Sequence, residues 1–377
     1  MQIAQVDLRS DLIDLGVGQP GLPLLPADII RQAADHRMAR DGNAYLQYGA
    51  EQGDGWFREA LAKFLARTHG FAPDPERLFV TAGASQALDL ISTLFVPPGS
   101  VVCVEEPSYH LALNSLRDHR FRLESLPTDE DGLIVEGLEE RMAELKPAML
   151  YLIPTFQNPT GTTLPAERRE RLVDIARRHD ILLVADEVYH PLGTDLVPPP
   201  SFGRYVDEAP VLALGSFSKI LAPGLRLGWV QGGAERIRRM VGCGLLDSGG
   251  GLNPFVSGLV RSVLELDLLE PHLERLTTEF RSRIGAMAEA LARYCPGVTF
   301  VLPRGGYFFW GRLPDGLDAS ALVPRANAQG VGLRPGALFS SRKGLTDRFR
   351  LSFAPYDSNT LVEGVRRLGR VLDAGHP

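Results

Sequence analysis

The segment at 215–230, GSFSKILAPGLRLGWV, contains a lysine between apolar flanks. A buried ammonium is costly unless it is paired with an opposite charge or loses its proton. Lys219 is therefore either a surface cation on a connector or an amine that does chemistry. A neutral lysine amine can form a Schiff base with a carbonyl compound. Ser216, Ser218 and Arg226 lie close by in the sequence and carry donors that suit a phosphate.

Three further segments place polar residues directly after apolar runs. TAGASQ, at 81–86, opens a helical pattern, and the N–H groups of a helix N-terminus suit a phosphate unless Ser85 serves only as the cap. QNPTG, at 157–161, has the composition of a turn and, taken alone, indicates a plain loop. VADEVYH, at 184–190, places an acid at a buried strand end, which calls for a cationic partner, a cap or a metal. We disfavour a metal because His190 has no second histidine nearby.

Together these groups match what pyridoxal phosphate requires from a protein: an imine-forming lysine, an acid that partners the ring nitrogen, and a phosphate cup. One motif points elsewhere, since GVGQPG at 16–21 matches the glycine pattern of dinucleotide-binding turns. No strong strand precedes this motif, and prolines rule out a continuous helix through its end. We therefore reject nicotinamide-dinucleotide binding there. GSFSK also does not fit the nucleophile elbow of hydrolases.

The elements that must position these residues alternate along the chain. Short apolar runs alternate with amphipathic helical patterns, which is typical of strands buried on both faces of a largely parallel sheet with helices on each side. Ligands of such sheets bind beyond the carboxyl ends of the strands, where the polar segments fall. The strands are predicted at RLFVTAG, SVVCVEEP, AMLYLIP, ILLVADE, VLALGSF and LRLGWVQGG.

The pattern changes after Gly251 to long helices over 257–295, followed by strand-like pieces and a helix at 358–373. We read this part as a smaller α+β domain, which the N-terminal arm joins while also covering the site as a lid. The predicted division is an arm at 1–40, a large cofactor-binding domain at 41–255 and a small domain at 256–377. The glycine-rich segment Gly249–Gly251 is either a substrate loop or a mobile linker.

Composition narrows the function classes. The 377 residues are 44% apolar and 23% charged with a formal net charge of -6, so a soluble globular protein without a broad nucleic-acid footprint is expected. No apolar run approaches the ~18 residues of a membrane span. Cys103, Cys243 and Cys295 are far apart and form no paired framework, which favours a reducing cytoplasm.

The motifs QNPTG, ADEVY and SFSKILAPGLRLGW, in this order, resemble those of fold type I pyridoxal-phosphate-dependent aminotransferases of class I/II. The resemblance is strongest to 2-aminoadipate and kynurenine aminotransferase-like enzymes, and it extends from LGVGQPGLP to FRLSFAP. It implies an α/β fold with a mostly parallel central sheet sandwiched by helices, a smaller α+β domain and a homodimer with shared active sites. It also implies ping-pong transfer of an amino group from an L-α-amino acid to a 2-oxo acid through a Schiff base on Lys219.

The same resemblance implies roles for individual residues on the cofactor side. Lys219 would form the Schiff base and then move the proton, Asp186 would keep the ring nitrogen protonated, and Tyr109 would stack on the ring unless it is only a core tyrosine. Asn158 and Tyr189 would hydrogen-bond the ring oxygen. The implied phosphate contacts are Ala84, Ser85, Gln86, Ser216, Ser218, Arg226 and, from the neighbouring subunit, Tyr48. Tyr48 could instead be a structural aromatic within one subunit.

On the substrate side, the resemblance implies that Arg350 grips the α-carboxylate, with Gly18 and Asn158 beside it. The alternative is that Arg350 lies on the surface of a strand. No metal is expected. A second carboxylate would need a second cation, and the candidates without further support are Arg312, Arg334 and Arg342. Dicarboxylic substrates are therefore in doubt.

Two alternatives to transamination stay open from the sequence. The same cofactor site serves C–S lyases, decarboxylases and other specialised biosynthetic enzymes, and substrate positioning decides between them. A regulator that joins such a domain to a DNA-binding domain is a remote alternative. It is disfavoured by the net charge of -6 and by a sequence that starts at the aminotransferase arm.

Overall fold

The computed structural model describes residues 11–373. Residues 1–10 of the predicted arm and 374–377 of the predicted small domain lie outside the described residues. The strands are β1 (Ile13–Asp14), β2 (Leu78–Thr81), β3 (Val101–Glu106), β4 (Arg122–Asp129), β5 (Gly132–Leu133), β6 (Met149–Leu152), β7 (Leu182–Asp186), β8 (Val211–Ser216), β9 (Gly228–Gly232), β10 (Thr299–Phe300), β11 (Phe308–Arg312), β12 (Val331–Gly332), β13 (Arg334–Pro335) and β14 (Arg348–Ser352). The helices are α1 (Ala27–Asp41), α2 (Gly55–Thr68), α3 (Ala84–Phe95), α4 (His110–Asp118), α5 (Leu138–Leu145), α6 (Ala166–His179), α7 (Ala234–Val241), α8 (Gly244–Gly249), α9 (Pro254–Glu265), α10 (Leu269–Tyr294), α11 (Ala319–Ala328) and α12 (Ser358–Asp373).

The large sheet has the strand order β2-β9-β8-β7-β6-β3-β4-β5. Its central strands β8, β7, β6, β3 and β4 are parallel, while β9 runs antiparallel to both of its neighbours and β5 runs antiparallel to β4. Strands β2, β7, β8 and β9 are buried along their whole length, which accounts for the mainly apolar sequences of β2, β7 and β8. This is the predicted α/β arrangement, and it brings the ends of β7 and β8 to one edge.

The C-terminal sheet has the order β10-β11-β14-β13 and is antiparallel. The long helices α10 and α12 pack together beside it, with Phe280, Ile284, Leu361 and Leu368 buried between the elements of this part. Burial of each such side chain stabilises the fold by about 2 kcal/mol. The core therefore extends without a break from the helices to the strand that carries Arg350.

The start of the described chain joins this C-terminal part, because β1 pairs in parallel with β12. Helix α1 instead contacts α9, and the buried Arg37 donates to the Gly258 carbonyl at 3.0 Å and pairs with Glu265 at 2.5 Å. The predicted boundaries at 40 and 255 stay predictions. Across residues 11–373, no helix is both long enough and apolar enough to cross a membrane.

Candidate active site

Lys219 follows the end of β8 and is enclosed by aromatic rings. Its Nζ donates to the Gly18 carbonyl at 2.8 Å and lies 5.3 Å from the ring centroid of Tyr307 and 5.8 Å from that of Tyr189. Burial, reinforced by the charge of Arg350, lowers the pKa of Lys219 to about 8. The structure thus favours the second reading of the sequence, an amine that loses its proton easily, over a surface cation.

Asp186 is the last residue of β7 and is buried. Its Oδ2 accepts a hydrogen bond from the Tyr151 hydroxyl at 2.8 Å, and the Val188 amide lies 3.4 Å from Oδ1. Burial raises the pKa of Asp186, while these hydrogen bonds and the charge of Lys219 act in the opposite direction. The carboxylate is therefore fixed in orientation and placed to pair with a cationic group.

The neighbouring acid, Glu187, has a structural role. Its Oε1 lies 3.6 Å from Nη1 of the buried Arg169 and accepts from the Phe202 amide at 3.1 Å, and Ser201 also donates to this carboxylate. His190 stacks on His69 with ring centroids 4.4 Å apart. Within residues 11–373, no three His, Cys, Asp or Glu side chains group in a way that could hold a metal ion.

The turn before α3 leaves the start of that helix open. Gly83 takes the N-cap position with φ of 90°, and no side chain caps the helix, so Ser85 is not the cap that the sequence allowed. Gln86 turns back, and its Oε1 accepts from the Ala82 amide at 3.2 Å. A Cβ on residue 83 would stand 2.8 Å from Nη2 of Arg226. Glycine is thus needed both for the backbone and for the close approach of the guanidinium.

Arg226 faces this turn from the start of β9. Its Nη1 donates to Ser218 Oγ at 3.3 Å and its Nη2 to the Ala82 carbonyl at 3.4 Å. Ser218 also accepts from the Ser216 hydroxyl at 2.9 Å. Two serines, one guanidinium and an uncapped helix start therefore lie around a common point, a donor set that suits a phosphate.

Arg350, on β14, is buried with 3% of its surface exposed, so it is not a surface arginine. Its Nη1 donates to Asn158 Oδ1 at 2.7 Å and its Nη2 to the Gly16 carbonyl at 2.8 Å, while the buried Nε has no hydrogen-bond partner among residues 11–373. The guanidinium lies over the rings of Phe308 and Phe339, at 4.0 and 4.8 Å from their centroids. Burial lowers the pKa of Arg350 to about 10, so it stays cationic at neutral pH.

Two tyrosines complete the group. Tyr109 stands at the start of α4, and the charges of Arg350, Asp186 and Arg226 all act on its hydroxyl, which places it among the three. Tyr189 is buried edge-on against Tyr307 at 5.4 Å. Burial raises the pKa of both Tyr109 and Tyr189, so both hydroxyls are protonated donors at neutral pH.

Tyr48 lies elsewhere, with 84% of its surface exposed. It borders the glycine-rich segment, because Gly49 pairs with Gly251 in an isolated bridge. Two residues beyond that segment, the Asn253 side chain donates to the Arg226 carbonyl, which connects this part of the chain to the site. The structure of one subunit thus brings together the predicted residues other than Tyr48.

Several residues of the site escaped the sequence analysis. Tyr307 donates from its hydroxyl to the Lys219 carbonyl at 2.8 Å, although the sequence analysis interpreted this part of the chain only as strand-like pieces. Tyr151 fixes Asp186, and Gly16 contacts Arg350 through its carbonyl. A tyrosine in an otherwise buried apolar strand was the available signal, because its hydroxyl needs a partner.

The three candidate arginines for a second carboxylate have different surroundings. Arg334 is paired with Asp14 through two hydrogen bonds of 3.0 and 2.9 Å. Arg312 pairs with Asp347 at 2.8 Å at a half-exposed position. Arg342 lies in the loop after Ser340, whose Oγ accepts its backbone amide at 3.2 Å.

Comparison with known proteins identifies the class. Residues 10–368 match the family described as aminotransferase class I and II, and the chain belongs to this family. It is 32% identical over 370 residues to aromatic-amino-acid aminotransferase 1 of Thermococcus litoralis, covering 96% of this chain and 88% of that protein. The predicted family, enzyme class and transaminase activity are thereby confirmed.

Solved structures agree with this assignment. The multiple substrate aminotransferase of Thermococcus profundus superposes with a TM-score of 0.91 at 33% identity, covering 97% of this chain and 92% of that one. The α-aminoadipate aminotransferase of Thermus thermophilus, complexed with N-(5'-phosphopyridoxyl)-L-leucine, gives a TM-score of 0.88 at 33% identity, with 97% and 93% covered. The fold is therefore that of the fold type I aminotransferases, as predicted.

Proposed function

We propose that this aminotransferase holds pyridoxal phosphate at the ends of β7 and β8 and the start of α3, and uses it in both halves of a ping-pong transamination. This proposal is supported mainly by Lys219, an amine with a pKa lowered to about 8, which lies close enough to Asp186, Arg226 and Arg350 for all three charges to act on it. The cofactor supplies, when bound, a carbonyl that condenses with amines and a ring that takes up electrons.

The donor set of the chain fits the phosphate of that cofactor. The start of α3 has free backbone N–H groups, and Gly83 leaves the approach to them open. The Arg226 guanidinium donates to a serine hydroxyl and to backbone carbonyls, and among residues 11–373 it has no acidic partner. An uncompensated cation beside a helix N-terminus favours a dianion such as a phosphate monoester.

Asp186 and Lys219 would act on the part of the cofactor and substrate that reacts. Asp186, held by Tyr151, would keep a ring nitrogen protonated, because a carboxylate in a buried site stabilises a nearby cation strongly. Lys219 would accept a proton from the substrate Cα and return it at the cofactor carbon bonded to the same nitrogen, since a pKa of about 8 lies near the working pH of a general base. Asn158, Tyr189 and Tyr109 would orient the ring between them.

Arg350 would bind the substrate α-carboxylate. Its Nε is buried without a partner in the part of the chain that the structure describes, and its other nitrogens donate to uncharged oxygens of Asn158 and Gly16. A buried guanidinium without a carboxylate near it is costly, and a bidentate carboxylate from the substrate would offset that cost. Such a contact fixes which bond at Cα faces the cofactor and so selects deprotonation.

For the amino donor, we propose amino acids with large apolar or aromatic side chains over dicarboxylic ones. The rings of Phe308 and Phe339 flank Arg350, and the nearby Arg334 is already neutralised by Asp14. The relatives include an aromatic-amino-acid aminotransferase, which agrees with this choice, and an α-aminoadipate aminotransferase, which acts on a dicarboxylic amino acid.

A half-reaction panel tests the proposal. Each L-amino acid is mixed with the cofactor-loaded enzyme, and conversion to the pyridoxamine form is followed by absorbance. We expect L-phenylalanine and L-leucine to react faster than L-glutamate or L-2-aminoadipate. Release of ammonia or CO₂ without the pyridoxamine form would contradict transamination, and an enzyme that takes up no pyridoxal phosphate would contradict the cofactor assignment.

We further propose a homodimer in which Tyr48 contacts the partner's phosphate site. Exposed apolar side chains surround it, and a single exposed patch of this kind is typical of a protein interface. The exposed large apolar residues that line the clefts at this face are Leu46, Tyr48 and Trp56. The three free, buried cysteines agree with the proposed cytoplasmic location.

Subunit mixing tests the shared site. Tyr48→Ala and Lys219→Ala dimers are each expected to be weakly active or inactive. After unfolding and refolding together, a mixed dimer would contain one site with both residues intact, so activity should reappear. Absence of recovery, together with a monomeric mass in analytical ultracentrifugation, would contradict a shared site.

A further inference from the structure

An ion pair outside the predicted site joins the first described strand to the sheet that carries Arg350. Asp14 and Arg334 make two parallel hydrogen bonds of 3.0 and 2.9 Å, and both side chains are partly buried. Arg334 lies directly opposite Arg350 in the register of β13 and β14. The ion pair therefore lies on the strand next to Arg350, the arginine that we assign to the substrate carboxylate.

The backbone after Asp14 depends on this pair. Asp14 Oδ1 accepts the Gly16 amide at 2.9 Å, and a Cβ on residue 16 would stand 2.5 Å from Nη1 of Arg334. The same glycine turns its carbonyl to Arg350 at 2.8 Å, and two residues on, the Gly18 carbonyl accepts from Lys219. The segment 14–18 thus packs against Arg334, and its carbonyl groups contact both Arg350 and Lys219.

The pair also determines which guanidinium near the site keeps an unbalanced positive charge. Arg350 and Arg334 both act to lower the pKa of His110, so both guanidinium charges are felt on the same side of the sheet. Burial contributes most to that shift, which keeps His110 neutral. Asp14 is the acid that pairs with Arg334 in this group, so that Arg350 remains the uncompensated cation.

We propose that Asp14 and Arg334 are positioning residues of the α-carboxylate site. Asp14 accepts the Gly16 amide and so positions the segment whose carbonyl contacts Arg350, and pairing with Arg334 keeps the Asp14 carboxylate from competing with the substrate for that arginine. This inference rests on the proposed role of Arg350.

The proposal predicts unequal effects of breaking the pair from its two ends. Arg334→Gln leaves a carboxylate without its partner next to the site that must accept the anionic group of the substrate, which is unfavourable. Asp14→Asn leaves an extra cation there, and the amide can still accept from Gly16. The double variant Asp14→Asn/Arg334→Gln removes both charges and should recover most of what Arg334→Gln loses.

The test uses the cofactor-loaded full-length enzyme and two measurements. Steady-state kinetics with L-phenylalanine and 4-methyl-2-oxopentanoate, the 2-oxo acid of leucine, separate KM from kcat, and inhibition by 3-phenylpropionate, which lacks the α-amino group, probes the carboxylate site alone. For Arg334→Gln we expect both KM and the inhibition constant to rise about tenfold or more, with kcat within about threefold. For Asp14→Asn and for the double variant we expect rises of no more than about threefold.

A matched control distinguishes positioning from general stability. Asp129 and Arg168 form the same kind of bidentate pair, at 2.7 Å for both contacts, between β4 and α6. Arg168→Gln should lower the melting temperature as Arg334→Gln does, while the inhibition constant stays unchanged. If Arg334→Gln does not accumulate as folded protein, Arg334→Lys replaces it, with an expected rise of about two- to fivefold.

Arg350→Lys separates failure of this inference from failure of the proposed function. A large rise in the inhibition constant for Arg350→Lys, with no rise for Arg334→Gln beyond that of Arg168→Gln, would overturn the positioning role alone. Equal losses in both single variants without recovery in the double variant would overturn it as well. An unchanged inhibition constant for Arg350→Lys would overturn the carboxylate role of Arg350 itself.

Discussion

The two sides of the active site are built in different ways. The cofactor side takes Asp186 and Lys219 from the ends of neighbouring parallel strands, where the register of β7 and β8 sets Asp186 opposite Leu214. The substrate side joins Gly16 to Arg350 across 334 residues of sequence, through one hydrogen bond to a backbone carbonyl. The strand ends on the cofactor side are held by all the backbone hydrogen bonds of the sheet. The substrate side depends on a few hydrogen bonds that a bound carboxylate could replace.

This difference predicts how the two sides respond to mutation. Groups at the ends of the sheet strands are those that we propose to act on the reacting atoms, so their loss should lower kcat. Groups on the substrate side now bind carbonyl oxygens where a carboxylate would bind, so their loss should raise KM. A cofactor-side variant that changes only KM, or a substrate-side variant that changes only kcat, would contradict this difference between the two sides.

The largest effect is expected for Lys219→Ala. Removal of the amine takes away both the bond to the cofactor and the proton carrier, so kcat should fall by at least about 10⁴-fold. Pyridoxal phosphate should still bind through its phosphate, which is checked by the cofactor content after gel filtration. Lys63→Ala, at an exposed lysine of α2, is the matched control and should retain activity. Substantial turnover by Lys219→Ala would refute its role.

Asp186→Asn should come next, with kcat lowered by about 10²- to 10³-fold and KM for the amino acid nearly constant. The amide has the shape of the carboxylate but lacks the charge that holds a ring nitrogen protonated. Tyr151→Phe, which removes only the hydrogen bond to Asp186, is the graded control and should cost much less. A rise in KM alone for Asp186→Asn would place this residue on the substrate side.

Arg350→Lys should raise KM by about 10- to 100-fold with a smaller change in kcat. An ammonium keeps the charge but cannot make the bidentate contact of a guanidinium with a carboxylate. The measurement is the dependence of the half-reaction rate on amino-acid concentration. A kcat effect as large as that of Asp186→Asn would show that the two sides are not separable.

The smallest effect concerns pH and stability at Glu105. This carboxyl is buried, accepts the Ile153 amide at 2.8 Å, and has a pKa raised to about 8, mainly by burial. The unfolded chain releases this proton near pH 4 to 5, so the contribution of the buried acid to stability should fall between there and about pH 8. Glu105→Gln removes this dependence.

Thermal unfolding at several pH values measures it. We expect Glu105→Gln to gain in melting temperature relative to the parent protein as pH rises from 5 to 8, and the gap to level off above pH 8. A gap that is constant across this range would show that Glu105 is ionised in the folded protein throughout.

The central strands were predictable from the sequence because strands buried on both faces consist mainly of apolar residues. Strands β3, β6, β7 and β8 coincide with continuous apolar runs, and α12 coincides with the predicted helix at 358–373. Polar residues after such runs had to meet at one edge of the sheet. Asp186 and the serines near Lys219 could therefore be grouped as candidate site residues from pattern alone.

Other elements left no such signal. Strand β4 carries Arg122 and Glu124 on a largely exposed surface, so its composition resembles that of a loop. Helix α1 has no continuous apolar face, since Ala33 and Arg37 are its buried residues, and Arg37 is held by Glu265 from a distant helix. Both elements owe their place to tertiary partners, which spacing does not reveal.

The substrate side could be inferred only through resemblance. Nothing in FRLSFAP or QNPTG taken alone indicates that Arg350 donates to Asn158, 192 residues away. The pair of Asp14 with Arg334 spans 320 residues and joins two residues that the sequence analysis did not connect. Contacts of this length follow from topology, which fixes β1 beside β12 and β13 beside β14.

The backbone of Arg226 has a consequence for how this enzyme could be engineered. It adopts φ of 47°, which costs an ordinary side chain about 1 kcal/mol and costs glycine nothing. Variants selected only for heat resistance would be drawn toward glycine at this position, and they would lose the guanidinium that faces the helix start. At this residue, the substitution that raises thermal stability would weaken the proposed binding of the cofactor. A screen for heat resistance should therefore also measure the amount of bound cofactor.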